Sequence, residues 1–416
     1  MRIGIFTDTY LPYVSGLVTS ELMLKKALEK AGHEVYIVTM NLEKMKYEYD
    51  KENKVIRIPG VPTKIYDTRL TGFYSLPAAN QIRKWKLDII HTQTEFSIGT
   101  FGRIIAKQLD IPLVHTYHTM YEDYVYYLTK GYFDKPSKKL VEYLTKFYCD
   151  TTVSELIVPS RKIYNMFKDK YTPDIKINII GTGIDLDRFD PSNFKKEEVQ
   201  KIKDKYNLNN KFVIGSISRL GKEKSVDKLI IAFKKVLEKI PNSVLFLVGD
   251  GPDKDELKTL IKELDIKDNV IFVGKVPIEK VQIYYQVMDL FTTFSITETQ
   301  GLTVLEALAA SIPVLAIKDD SFVDAVKNDK NGYLFKNENE FVNYVLKIHN
   351  DKTLFTKLKK GAKESSLDHS SDAFGQKVYT VYTDTIKHYK KQDKLLSDIK
   401  DVINKSKIVE SLKSDK

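Results

Sequence analysis

Short, nearly unbroken apolar runs recur along the chain, each followed by a longer stretch in which apolar residues return every three or four positions. Runs of the first kind are Arg2 to Phe6, HEVYIVT from His33, Val55 to Ile58, Leu87 to His91 and Pro112 to Thr116. They alternate too little for strands with one wet face and predict parallel strands buried on both faces. Stretches of the second kind predict helices. One begins at Leu17 and places Leu24, Leu28 and Ala31 on one side with Lys25, Lys26 and Lys30 elsewhere, until Gly32 stops it. Another runs from Ser97 to Leu109, and Lys135 to Cys149 reads as a basic amphipathic helix before an apolar strand within Asp150 to Pro159.

The segment IKINIIGTGIDLDRFDP, punctuated by Gly181, Gly183 and Pro191, closes this first cycle. The alternation then restarts: strand FVIGSIS, helix from Ser225, strand Val244 to Val248, helix from Lys254, strand Val270 to Val273, helix from Pro277, strand Leu290 to Thr293. Strand and helix in strict alternation predict an α/β architecture of two doubly wound domains, as the length of 416 residues allows. The boundaries implied are 1–185 for the first domain and 186–370 for the second. A long helix over 371–389 and a lysine-rich tail over 390–416 follow.

Composition changes this picture little. With 42% hydrophobic and 29% charged residues the chain is an ordinary globular one, and its apolar runs fall short of the roughly 18 residues that a membrane span needs. MRIGIFTDTY reads directly as a first strand with no signal-peptide core, so a cytoplasmic location is expected. Cys149 is the single cysteine, which excludes an intrachain disulfide and a cysteine-based metal cluster and suits a small buried filler. The net charge of +10 favours an acidic partner: nucleic acid, an anionic membrane surface or a phosphate-bearing substrate.

Ligands of open α/β sheets lie beyond the carboxyl ends of the strands, and the residues there define the candidate chemistry. TETQGLTVLEALAASIPVLA, Thr297 to Ala316, reads as loop, helix and strand. A helix starting near Gly301 turns the unpaired N–H groups of Gly301, Leu302 and Thr303 toward the loop that holds Glu298, and such an end binds anions. Glu306 stands about 7.5 Å further along the axis. An isolated pair of glutamates is usually a solvated helix face; here they flank an anion cradle. Gly16 opens the first predicted helix, where backbone can approach a phosphate or sugar. HTYHTMYEDY follows the strand ending at Thr116. His115 is placed within the strand, and His118 is the first candidate for a proton-bearing contact. Asp185 and Asp187 have the spacing of a metal-binding pair but suit a turn and cap.

At Glu298 and Glu306 the chain resembles the family-4 retaining glycosyltransferases, marked by two glutamates separated by seven residues at the start of a helix in the nucleotide-sugar domain. The resemblance spans MRIGIF to the 371–389 helix and implies a GT-B fold, two facing Rossmann-like domains with the site in the cleft between them. It implies that Glu298 sits by the donor sugar, that the amides of Thr299, Gln300, Gly301 and Leu302 meet sugar and diphosphate, and that Glu306 accepts from the ribose hydroxyls. In SRLGKEKSVD it assigns Arg219 and Lys224 to the donor diphosphate, in GKVP it assigns Val276 to the nucleobase, and it puts His118 near the reacting anomeric carbon. Where many members carry Gly before the Pro of the next strand, this chain has Ser311 and Ile312. IIHTQTEFSIG and YHTMYEDY are similar to the corresponding stretches of bacterial diacylglycerol glucosyltransferases.

The resemblance therefore implies a retaining enzyme that moves an α-glucosyl group from UDP-glucose to diacylglycerol, with no tightly bound cofactor and no metal. A soluble acceptor is the alternative. A non-catalytic nucleotide-sugar or nucleic-acid-binding protein is the alternative of another class, and no nucleic-acid-binding signature stands out. A lipid acceptor predicts peripheral docking on the inner face of the cell membrane, through Arg83, Lys84, Trp85 and Lys86 and through the helix carrying Lys135, Lys138, Lys139 and Lys146.

Overall fold

The computed structural model describes residues 1–13, 15–62, 69–118, 145, 153–171 and 175–389. Two sheets organise them. The first contains β1 (Arg2–Phe6), β2 (Glu34–Asn41), β3 (Glu48–Asp50), β4 (Val55–Pro59), β5 (Ile89–Thr92), β6 (Leu113–Thr116), β7 (Glu155–Val158) and β8 (Lys176–Ile179). Their order is β8-β7-β6-β5-β1-β2-β4-β3, parallel throughout except where β3 pairs antiparallel to β4. The apolar runs prove buried on both faces for a simple reason: alternate residues enter two different cores. Ile3, Ile5, Val35 and Ile37 meet Leu24 and Leu28 of α1 (Gly16–Lys30) on one side. Phe6, Tyr36, Val38 and Met40 meet α2 (Leu76–Trp85) and α3 (Ser97–Leu109) on the other. A short helix, α4 (Arg161–Met166), follows β7.

The second sheet contains β9 (Phe212–Ile217), β10 (Ser243–Val248), β11 (Val270–Gly274), β12 (Leu290–Thr293), β13 (Val314–Ile317) and β14 (Gly332–Phe335), in the parallel order β11-β10-β9-β12-β13-β14. Helices α5 (Val226–Leu237) and α6 (Lys254–Glu263) cover one face, and α7 (Leu302–Ala309) packs Val304, Leu305 and Leu308 on the other. Helices α8 (Glu338–Asn350) and α9 (Lys352–Ser366) follow β14. The helix expected from Pro277 is broken: a 3-10 turn over Ile278–Lys280 precedes a short helix over Gln282–Tyr285.

Among the described residues the chain crosses between the sheets twice, and the crossings touch. Ile184 N–H donates to His369 O at 2.9 Å and Ser371 N–H donates to Ile184 O at 2.9 Å. After the second crossing, helix α10 (residues 371–389) returns to the first sheet and buries Phe374, Val378, Val381 and Tyr382 beside α1. Asp185 occupies the N-cap position of the short helix Leu186–Phe189, makes no side-chain capping bond there, and pairs instead with Lys26 at 3.1 Å.

Two loops gain their shape from the end of α7. Gly301 is the N-cap of that helix rather than its first residue and takes φ 77°, a left-handed conformation. A side chain there would also strike the Phe322 ring, so both backbone and packing call for glycine. At the other end Ser311 takes the left-handed φ of 61° that a glycine would take more cheaply. Its N–H bonds to Leu308 O and that of Ile312 to Ala307 O, each at 2.9 Å, the double closure of a Schellman motif.

Candidate active site

In both sheets the strand order reverses beside the first strand, between β1 and β5 and between β9 and β12. At such a switch point the loops leaving the two adjacent strands turn away from each other and open a crevice. In the second sheet these loops are 218–225 and 294–301. They bring Lys224 to Glu298, Nζ to Oε1 at 2.5 Å, although 73 residues intervene in the chain. Thr297 Oγ1 and Ser295 Oγ both donate to Glu223 O, at 3.2 and 3.3 Å, and tie the loops together. Arg219 is exposed in the first of them. The pair Lys224–Glu298 and the N-terminus of α7 therefore lie at one switch point, with Arg219 on the same loop as Lys224, an arrangement whose cations and helix end suit an anionic ligand.

Glu306, one turn into α7, is only partly exposed, and Tyr285 donates its hydroxyl to Glu306 Oε2 at 2.6 Å. Removal from bulk water pushes the Glu306 carboxyl up to about 7, against the pull of the Tyr285 hydroxyl and the Arg188 guanidinium. One carboxylate oxygen is thus held by tyrosine, leaving the other to accept. Val276 lies partly buried in the loop after β11, at the same end of the sheet. The side chain of Gln300 turns away from the crevice: its Oε1 accepts from Thr182 N–H at 2.8 Å and its Nε2 donates to Thr182 O at 3.0 Å. Only its backbone remains for a ligand, as the resemblance implies for this stretch.

The first sheet faces this crevice. A methyl group on Gly16 would stand 3.6 Å from Leu302 Cδ1, so the N-termini of α1 and α7 meet across the cleft. His118, after β6, donates from Nε2 to Gln93 Oε1 at 2.6 Å, which leaves Nδ1 as the acceptor. Burial holds its pKa down to about 4, so the ring is neutral at physiological pH. His115 lies in β6 as predicted and is fully buried, its Nε2 3.0 Å from Glu95 Oε1. Asp8, after β1, closes this switch point: it accepts from Ile98 N–H at 2.9 Å and from the Thr94 hydroxyl, and burial raises its pKa to about 6.

Several contributors escape a reading of the sequence. Tyr285 acts through a partner distant in the chain and no local motif marks it; Gln93 and Glu95 lie inside the IIHTQTEFSIG stretch, but their partners, His118 and His115, stand 25 and 20 residues away. Asp8 had a signal, a carboxylate two residues beyond the first buried strand, where a switch-point loop begins.

The docking residues divide. Arg83, Lys84 and Lys86 are exposed as expected. Trp85 is not a surface anchor. It is 5% exposed, its ring lies 4.6 Å from that of Tyr36, and its indole N–H donates to Tyr49 Oη at 3.2 Å. The cause is helical geometry: Ala78, Ile82 and Trp85 share one stripe of α2, and that stripe faces the core while the cations point outward. Lys135, Lys138, Lys139, Lys146, Cys149 and the 390–416 tail lie outside the described residues. Among the described residues no cluster of His, Cys, Asp or Glu has the makings of a metal site, and no helix is long and apolar enough to cross a membrane.

Comparison with known proteins places the chain in a family. Residues 14–188 match Glycosyltransferase Family 4, and residues 198–365 match Glycosyl transferases group 1. An alpha-monoglucosyldiacylglycerol synthase of Acholeplasma laidlawii is 39% identical over 405 residues, covering 95% of this chain and 100% of the relative. One from Streptococcus pneumoniae is 37% identical, covering 93% of this chain and 86% of the relative. Among solved structures, Anabaena Alr3699/HepE in complex with UDP superimposes with a TM-score of 0.70 at 18% identity, covering 92% of this chain and 100% of that one. The two facing parallel sheets are a GT-B fold, and the chain belongs to glycosyltransferase family 4 and is a glycosyltransferase.

Proposed function

We propose that the enzyme transfers a glucosyl group from UDP-glucose to diacylglycerol with the α-configuration kept, at the cytoplasmic face of the membrane. The observation that carries the reading is likeness along 95% of the chain to the 39% identical alpha-monoglucosyldiacylglycerol synthase, which also spans that relative's full length. The crevice between loops 218–225 and 294–301 supplies matching chemistry. As the bond from the sugar to the diphosphate breaks, its electron pair goes to the phosphate oxygen. Arg219, Lys224 and the α7 N-terminus stand where that growing charge would be stabilised. The acceptor hydroxyl bonds to the anomeric carbon on the face the diphosphate leaves, and its proton passes to the departing phosphate oxygen. Glu298 and the neutral His118 line the sugar, and Glu306 accepts from the ribose. No tightly bound cofactor or metal enters this scheme.

The acceptor would be met at the surface of the bilayer, with the exposed Arg83, Lys84 and Lys86 drawn to anionic headgroups. The deciding experiment supplies UDP-glucose with diacylglycerol, with monoglucosyl-diacylglycerol, or with no lipid, and separates the products. A single new lipid, α-glucosyl-diacylglycerol, is expected from the first mixture. A product only from the glucosylated lipid assigns a second-sugar enzyme, and hydrolysis of UDP-glucose alone points to a soluble acceptor.

A further inference from the structure

Three segments converge where the chain crosses between the sheets. Residues 181–184 form the first crossing, and Ile184 pairs with His369 and Ser371 of the second. The third segment is the 298–301 loop, through the two hydrogen bonds of Gln300 to the backbone of Thr182. The packing leaves no slack. A side chain on Gly183 would lie 2.6 Å from Phe374 Cβ and 2.8 Å from Ser370 O, and one on Gly181 would lie 2.6 Å from Gln300 Nε2. Thr182 is 5% exposed, and its hydroxyl donates to Ser20 Oγ of α1 at 2.9 Å. A continuous path of hydrogen bonds therefore runs from α1 through the crossing to the loop between Glu298 and the end of α7.

We propose that Gln300 is a positioning residue, whose amide locks the 298–301 loop to the interdomain crossing and so holds Glu298 and the α7 N-terminus in working register with the first domain. The amide suits this task because it donates and accepts in one plane and therefore grips both polar groups of a single residue. Loss of the grip frees the loop without removing any group assigned to the donor. The inference rests on the donor-site reading only for its effect on turnover. Its effect on loop order stands independently of substrate.

The test uses the full chain without ligand. Hydrogen exchange is followed in peptides covering 296–303 and 180–184, in wild type, Gln300→Ala and Gly181→Ala, the last pushing a methyl into the amide. Faster exchange in both segments of both variants, with the rest of the chain unaltered, is expected. Exchange unchanged in those segments overturns the proposal, as does acceleration spread over a whole domain in both variants, which marks a merely structural residue. Turnover gives the second readout. Misplacement of reacting groups by about 1 Å can cost about 100-fold, so kcat of Gln300→Ala should fall between about 10- and 100-fold, with a smaller loss of UDP affinity.

Gln300→Glu adds a pH signature. Its ionised carboxylate sets an oxygen against Thr182 O, whereas the protonated acid can again donate there and accept from Thr182 N–H. Its kcat relative to wild type should climb as pH falls from 8 to 5.5. A flat ratio, or UDP affinity lost in step with kcat, counts against positioning. Failure of wild type itself to bind UDP would sink the donor-site reading instead and leave the exchange result to judge the lock.

Discussion

The hydroxyl of Tyr285 and the carboxylate of Glu306 lie 2.6 Å apart, a side-chain pair that joins the short helix Gln282–Tyr285 to α7 inside the second domain. The tyrosine orients a carboxyl that burial has pushed up to about 7, so near neutral pH roughly half of the unliganded molecules hold it protonated. A ribose that donates two hydroxyls needs the carboxylate. UDP binding should therefore expel a proton below pH 7 and weaken as pH falls from 7 to 5, with the slope abolished in Glu306→Gln. Glu306→Ala should cost about 1–3 kcal/mol of UDP affinity, read by calorimetry. Unchanged affinity removes Glu306 from the ribose.

The same pKa has a consequence for stability. Because the folded pKa exceeds the ordinary carboxyl value, the native state binds the extra proton between pH 4.5 and about 7. Any stability linked to that proton is complete below pH 4.5 and lost as pH rises through 7. Glu306→Gln should accordingly raise the melting temperature more at pH 8 than at pH 5. An equal shift at both values would contradict the assignment.

Glu298 and Lys224, 2.5 Å apart, occupy each other until a ligand divides them. An anion that engages Lys224 releases Glu298 toward the sugar. Glu298→Ala should mainly lower kcat, whereas Lys224→Ala should lower UDP affinity and kcat together. Groups in direct contact rarely act additively, so the double variant should lose less than the product of the two single losses. Additive losses would show that the pair works as two independent groups.

On the proposed reading, in which Arg219 and Lys224 neutralise the leaving diphosphate, transfer should persist in EDTA. Activity lost in chelator and restored by magnesium or manganese would return attention to Asp185 and Asp187.

Much of the fold was legible because the central strands are buried on both faces and the helices that cover them on one. Ser97–Leu109 and Leu290–Thr293 begin and end in the structure as their apolar patterns indicate. The polar β3 escaped, because an edge strand with residues Glu48, Tyr49 and Asp50 carries no apolar signature. At the site, the carriers of charge could be read from loop positions and family likeness. Their supports could not: Tyr285 reaches Glu306 and Gln300 reaches Thr182 only after folding, and neither spacing repeats a local period. Trp85 is instructive in a different way. Its cationic neighbours suggested a surface, while Ala78 and Ile82 at helical spacing already pointed to the core.

Membrane docking can now be separated from that tryptophan. Replacing Arg83, Lys84 and Lys86 with Ser should reduce sedimentation with phosphatidylglycerol vesicles and leave UDP binding intact, with the difference shrinking at high salt. Trp85, the single tryptophan, should keep its emission maximum when vesicles are added, because its indole is already packed on Tyr36 and Tyr49. A blue shift on binding would mean that α2 leaves the core to enter the bilayer.

The return of α10 to the first sheet sets an order of assembly during translation. Phe374, Val378, Val381 and Tyr382 complete a core whose other members begin at Ile3, so the first domain waits unfinished while nearly the whole chain is made. The second sheet, drawn wholly from residues 212–335, has its strands in hand well before then. A ribosome that starts with the first domain therefore delivers the second one finished first. Until α10 emerges, the open face beside α1 leaves the nascent chain exposed to chaperones and proteases.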